Sequence, residues 1–272
     1  MSFTTIEMKS GHTIPVLGLG TWKLTGNSCF TTVMKALEIG YRHIDTAAAY
    51  GNEDQVGKAL KKSGLKRSDL FITTKIWYDS LKYQDVLKQF DQSMQKLNCE
   101  YIDLLLIHWP NETIPLEETL EAFQKLVETA GVRSIGVSNF SLTKLKKAIG
   151  LSSLPLCTNQ VEFHPFLNQK ELLKYCKNNG VVLTAYCPIA RGHVFKDPLL
   201  QSIAREKQIN EAGLSLAYLM QKGMVVIPKA SSASHLLQNY AAKEVSLSTK
   251  EIELIDTCNR DQRLVNPQWA EF

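Results

Sequence analysis

Eight short apolar runs, each followed by a longer segment of helical period, constrain this chain more than any other feature. The runs are VLGLG at 16–20, HID at 43–45, LFITTK at 70–75, IDLLLIH at 102–108, RSIGVS at 133–138, CTNQVE at 157–162, VVLTAY at 181–186 and MVVIP at 224–228. Between them lie stretches such as KYQDVLKQFDQSMQKLN, with Val86, Leu87, Phe90, Met94 and Leu97 at helical spacing. Another, PLEETLEAFQKLVETAG, places Gly131 where a C-terminal cap is expected. A chain of 272 residues has room for two average domains. Uninterrupted β-then-α alternation, with no linker and no low-complexity stretch, predicts instead one α/β domain over 1–272, a (β/α)8 or TIM barrel, a fold that takes about 250 residues. A doubly wound sheet is the alternative. Ahead of the barrel, FTTIEMKSGHTIPV predicts a β-hairpin turning at Ser10 and Gly11, and after Cys258 only a short tail remains.

Composition narrows the partners. Net charge is +4, and the densest basic stretch, Lys61, Lys62, Lys66 and Arg67, sits where a helix gives way to a turn, which reads as a solvated face and not a nucleic-acid patch. No apolar run approaches the roughly 18 residues of a membrane span. The six cysteines are scattered without a C-x-x-C pair, so reduced thiols are expected, and the first residues lack the basic and apolar regions of a leader. Cytoplasmic location and a monomer are the expectations. No His-x-His occurs on strand one and none of the six histidines has metal-ligand spacing, so no metal centre is expected.

In a (β/α)8 barrel the carboxyl ends of the strands build the active site. Here they deliver Asp45, Lys75, His108, Ser138 with Asn139, Gln160 and Tyr186, with Tyr50 in the loop after Asp45. Singly, each has a bland role: Asp45 suits a helix cap, Lys75 a surface lysine, His108 a satisfied core histidine. Together they suit one task. A tyrosine is a poor acid at neutral pH unless a cation stabilises its phenolate, and Lys75 can supply that cation while Asp45 holds it charged. A neutral His108 can then hydrogen-bond a substrate carbonyl oxygen beside the phenol. A hydride source is also needed. The Gly18-Leu19-Gly20 pair is too weak and too early for a dinucleotide fingerprint. The segment IPKASSASHLLQN at 227–239 is the better phosphate site, since its serines open a helix whose N-terminal amides suit an anion and Lys229 adds a charge; a plain Ser-capped helix reads equally well there. Trp22, Trp77 and Trp109 each follow a strand end and suit pocket walls, with Trp269 in the tail.

GLGTW, IDTAAAYGNE, ITTKIW, LLIHWP, IGVSNF, NQVEFHP, AYCPIARG and IPKASS occur in the order of one family, and over essentially its whole length the chain resembles the aldo-keto reductases. Its tail, CNRDQRLVNPQWAEF, is similar to those of small bacterial members that reduce 2,5-diketo-D-gluconate and methylglyoxal. The resemblance implies NADPH-dependent reduction of a small-molecule carbonyl, with Tyr50 as the acid, Asp45 and Lys75 tuning it and His108 orienting the substrate. It implies that Ser138, Asn139 and Gln160 bind the nicotinamide carboxamide and that Tyr186 stacks on the ring. Pro188 and Ile189 would offer backbone to the diphosphate, and Lys229, Ser231, Ser232, His235 and Asn239 would hold the adenosine phosphate. Departures are Cys187 where the family has serine and His235 where many members have arginine, which weakens strict NADPH selectivity. The short loop after His108 and the short tail point to small substrates. Two competing readings are a Schiff-base aldolase using Lys75 and a nucleotide-binding, redox-sensing subunit with little turnover.

Overall fold

Strand pairing in the computed structural model, which describes residues 5–268 and 270, follows chain order around a barrel. A hairpin of β1 (Thr5–Glu7) and β2 (Thr13–Pro15) precedes eight parallel strands: β3 (Gly18–Gly20), β4 (His43–Asp45), β5 (Phe71–Ile76), β6 (Ile102–Ile107), β7 (Val132–Ser138), β8 (Leu156–Glu162), β9 (Val182–Tyr186) and β10 (Val225–Val226). The last strand returns to the first. Leu17 bridges Val226 in parallel, the Val226 amide donates to Val16 (2.8 Å) and the Gly20 amide donates to Pro228 (3.1 Å).

Helices α1 (Gly26–Ile39), α2 (Glu53–Ser63), α3 (Tyr83–Leu97), α4 (Leu116–Glu128), α5 (Leu142–Leu151) and α6 (Lys170–Asn178) each follow one strand. The β9–β10 connection carries two, α7 (Pro198–Glu206) and α8 (Glu211–Gln221); α9 (Ala233–Ala241) packs on α1 and closes the outer ring, and α10 (Thr249–Asp256) ends the chain's helices. Among the described residues no helix is long and apolar enough to cross a membrane.

The period of two along each strand separates two cores. On β6, Leu105 and Ile107 join the large layer between strands and helices, while Leu104 and Leu106 point to the barrel axis. Leu104 and Leu106 meet Phe71, Val182 and Val225, near the starts of their strands, and the hairpin's Met8 and Ile14 complete this cluster. The hairpin therefore plugs the amino-terminal end of the barrel. Full burial of each such side chain is worth about 1.5–3 kcal/mol.

Three details differ from the sequence reading, each for a backbone reason. Strand eight shrinks to two residues, because the Met224 amide is used by the end of α8, donating to Leu219 (3.2 Å), and Pro228 has no N–H to give. The cap of α4 is not Gly131: the left-handed residue is Ala130 (φ 59), and a Cβ at Gly131 would press on the Phe90 ring at 3.1 Å. The Gly18-Leu19-Gly20 pair serves packing. A Cβ on Gly18 would lie 2.6 Å from Nδ1 of His43, and one on Gly20 would lie 2.7 Å from the Ile227 carbonyl oxygen. His43 is itself buried inside the barrel, Nε2 3.1 Å from Thr73 Oγ1. Burial drives its pKa down to about 4 against the opposing pull of Asp45, so the ring below the site stays neutral at pH 7.

Candidate active site

Register explains how residues from Asp45 to Tyr186 meet on one rim. Asp45 pairs with Thr73, and the next inward residue on β5 is Lys75. Lys75 pairs with Leu106, and two residues on comes His108. Leu106 pairs with Gly136, two residues below Ser138; Ser138 pairs with Gln160; Gln160 pairs with Thr184, two residues below Tyr186. Each site residue thus stands level with, or one inward step above, the partner of the last, as expected of tilted barrel strands.

At the centre lies a fully buried ion pair. Lys75 Nζ donates to Asp45 Oδ1 (2.6 Å), to the Thr46 carbonyl (2.6 Å) and to the Tyr50 hydroxyl (3.5 Å). The other Asp45 oxygen accepts from Gln160 Nε2 (2.7 Å). Tyr50 ends a 3-10 turn over Ala48–Tyr50 that closes at Gly51 in the left-handed region (φ 65), and its ring meets His108 edge-on at 5.5 Å. The Trp77 ring also meets His108 edge-on, at 5.0 Å.

Burial, then the charge of Asp45 and the proximity of Tyr186 and Cys187, push the phenol well above its ordinary value near 10. The ammonium sits 2.6 Å from Asp45 and 3.5 Å from the phenol, so the carboxylate holds it the more closely. Burial also draws the Lys75 pKa down while Asp45 raises it. Burial, with Lys75 adding to it, holds His108 well below 6.5, and its Nδ1 is buried without a partner among the described residues. The cluster at neutral pH is a protonated phenol beside a neutral imidazole.

A second polar group adjoins the first. Ser138 Oγ donates to the Gln160 carbonyl (2.8 Å), and Asn139, in the left-handed region at φ 63, donates from Nδ2 to the His108 carbonyl (2.9 Å). Tyr186 donates its hydroxyl to Asn139 Oδ1 (2.7 Å), which fixes the ring at the end of β9. Beyond it, Cys187 (φ 49), Pro188 and Ile189 lead into Ala190, Arg191 and Gly192, all three in the left-handed region. Lys229, Ser231 and His235 are exposed around the start of α9; Ser232 caps that helix by accepting from the His235 amide (3.2 Å), and Asn239 is buried on it. Of the tryptophans, Trp77 flanks His108, Trp22 is 44% exposed with Lys23 4.5 Å over its ring, and Trp109 is packed at 6%. Trp269 lies outside the described residues.

Two residues of the assembly carry no sequence pattern that singles them out. Asn52 is fully buried: it accepts from Thr46 Oγ1 (2.9 Å) and donates to the Thr21 and Leu24 carbonyls (both 2.9 Å), lacing the loops after β3 and β4 together. Its one signal is its place two residues after Tyr50. Glu162, at the end of β8, is also wholly buried and is reached by the tail.

Comparison with known proteins places the chain in a family and matches its fold. The chain is 38% identical over 261 residues to the glyoxal reductase of Bacillus subtilis (strain 168), covering 96% of this chain and 94% of that protein. It is 38% identical over 257 residues to the methylglyoxal reductase DkgB of Yersinia pestis, covering 93% and 96%. Its fold superposes on the crystal structure of a Bombyx mori aldo-keto reductase in complex with NADP with a TM-score of 0.92 at 31% identity, covering 98% and 96%. Residues 16–260 match the model of the aldo/keto reductase family, to which the chain belongs.

Proposed function

We propose that this protein reduces small aldehydes and ketones, short dicarbonyls or keto-sugar acids among them, to alcohols with NADPH. The observation that carries the reading is the Tyr50 hydroxyl, 3.5 Å from an ammonium anchored on a buried carboxylate and with its ring edge-on to the His108 imidazole. The nucleotide, when bound, supplies the hydride. Ser138, Asn139 and Gln160 offer amide and hydroxyl groups for its carboxamide, Tyr186 a fixed ring for its nicotinamide, Pro188 and Ile189 backbone for its diphosphate. Lys229, Ser231, Ser232 and His235, with Asn239 behind them, offer charge and donors at the start of α9. These groups suit a dinucleotide lying across the ends of β7 to β10.

As the carbonyl carbon gains hydride, negative charge grows on its oxygen. His108 holds that oxygen by a hydrogen bond, and Tyr50 transfers its phenolic proton to it, so that C=O becomes CH–OH and a phenolate remains. Lys75 stabilises that phenolate until solvent returns the proton. A Schiff base at Lys75 is disfavoured because its hydrogens are committed to Asp45, Thr46 and Tyr50.

A panel of methylglyoxal, keto-sugar acids, aryl aldehydes and a steroid ketone, run with NADPH and NADH on wild type and Lys229→Ala, tests this reading. NADPH should be preferred, the small substrates should have the highest kcat/KM, and Lys229→Ala should raise KM for NADPH by about tenfold with little change for NADH, as for one lost charge-assisted contact. Equal losses for both nucleotides would move the phosphate site elsewhere; a steroid as best substrate would overturn the size argument.

The raised phenol pKa sets a pH profile. Reduction needs the protonated form, which persists below the pKa, so kcat/KM should stay level from pH 7 through about pH 9 and decline only above the ordinary tyrosine value near 10. A decline centred near pH 8 would show that Lys75 acidifies Tyr50 after all.

A further inference from the structure

The mechanism leaves one buried carboxylate unused. Glu162 is wholly inaccessible, yet its oxygens are met by the tail: the Leu264 amide donates to Oε1 (2.7 Å) and the Val265 amide to Oε2 (2.8 Å), while His164 Nε2 lies 2.9 Å from Oε1. Around this tie the segment is stitched to the loop after β8. Arg260 and Gln262 donate backbone amides to the Phe166 carbonyl (3.3 and 2.9 Å), Asn259 Oδ1 accepts from the Asn168 amide (2.8 Å) and the Arg260 guanidinium lies 3.8 Å over the Phe166 ring. Glu162 is the register partner of Tyr186, whose hydroxyl runs on to Asn139 and thence to the His108 carbonyl. A cavity of about 600 Å³ lies between this segment, through Asn259, Asp261 and Arg263, and Asn139.

A carboxylate removed from water is costly unless its oxygens are hydrogen-bonded, and here two of the donors belong to a segment about a hundred residues away in the chain. Docking of the tail and burial of the charge therefore depend on each other. We propose that Glu162 is a positioning residue, the catch that seats residues 259–265 on the end of β8 and so fixes the tail's side of the cavity that reaches Asn139. The proposal rests on the carbonyl-reduction reading for its kinetic consequence but not for its structural one.

Amide hydrogen exchange and steady-state kinetics on the full chain test it together. In Glu162→Gln one side-chain oxygen is replaced by N–H donors facing an N–H, so exchange across 259–268 should quicken by about tenfold or more, as for a lost hydrogen bond to a charged group. KM for NADPH should rise by about tenfold while kcat stays within about twofold, the pattern of lost binding without lost transition-state chemistry. Val265→Pro, which removes one tail donor and leaves Glu162 intact, should reproduce both effects, and the double variant should add little to either single one. Glu162→Asp, which keeps two acceptors, should recover part of the loss. Unchanged exchange in both Glu162→Gln and Val265→Pro, additive effects, or a fall in kcat with KM unmoved would each overturn the proposal. Because exchange requires no turnover, a wild type inactive toward every carbonyl would remove the functional reading and leave the catch to be decided by exchange alone.

Discussion

Tyr50→Phe is expected to lower kcat for carbonyl reduction by at least about a hundredfold, the usual floor for losing a general acid, and to leave nucleotide affinity within about twofold. The change deletes one oxygen. The ring keeps its edge-on contact with His108, and Lys75 keeps its two shorter bonds, both 2.6 Å, to Asp45 and the Thr46 carbonyl. Stability should therefore move little, and the loss should fall on the chemical step. Steady-state kinetics with a parallel nucleotide titration measure the two quantities separately. A variant with near wild-type kcat would mean that the proton comes from another group, and neutral His108 would be the first to examine.

Lys75→Met should fail in two ways at once. The phenolate formed in the reaction loses its counter-charge, so kcat should fall by about a hundredfold or more, in line with removal of a group that stabilises developing charge. The protein should also lose about 3–5 kcal/mol of stability, since deleting one partner of a buried pair leaves the other uncompensated. Asp45 would retain only the Gln160 amide on its side-chain oxygens, among the contacts described above. The diagnostic is a cycle with Asp45→Asn. Denaturant unfolding should find the double variant more stable than Lys75→Met alone, because no charge is then left buried. Stability restored without activity is the expected result; a double variant that is less stable by the full sum of both single losses would show that the pair does not act as a unit.

Much of this molecule was legible before its coordinates. Eight strand-like runs with helical segments between them predict the barrel, and Asp45, Lys75, His108, Ser138, Gln160 and Tyr186 are found on one rim because strand ends share a face in this fold. Tyr50 was readable from its place just past Asp45. Less visible were properties decided by distance and not by residue type. The rise in the Tyr50 pKa depends first on burial and then on the nearby Asp45 charge, which only the folded arrangement sets. Asn52 and Glu162 are polar residues in unremarked positions whose partners are carbonyls and amides far along the chain, and backbone groups leave no mark in a sequence. Strand eight was overdrawn because its apolar run is shared between a helix end, two ladder residues and a proline.

The staggered register also divides the chain by its tolerance of length changes. Side chains in a strand alternate sides, so removing a single residue inside β5 ahead of Lys75 reverses the parity of everything after it: Ile76 would swing to the axis and the lysine to the helices. No compensating shift in a neighbour repairs this, since β4 and β6 are each held to β5 by a parallel ladder. Insertions and deletions that alter substrate range are thus confined to the segments past the strand ends. Loops past the strand ends can therefore change length one residue at a time, while a single-residue change inside a strand has to be absorbed by an irregularity such as the register shift between Ile135 and Val137.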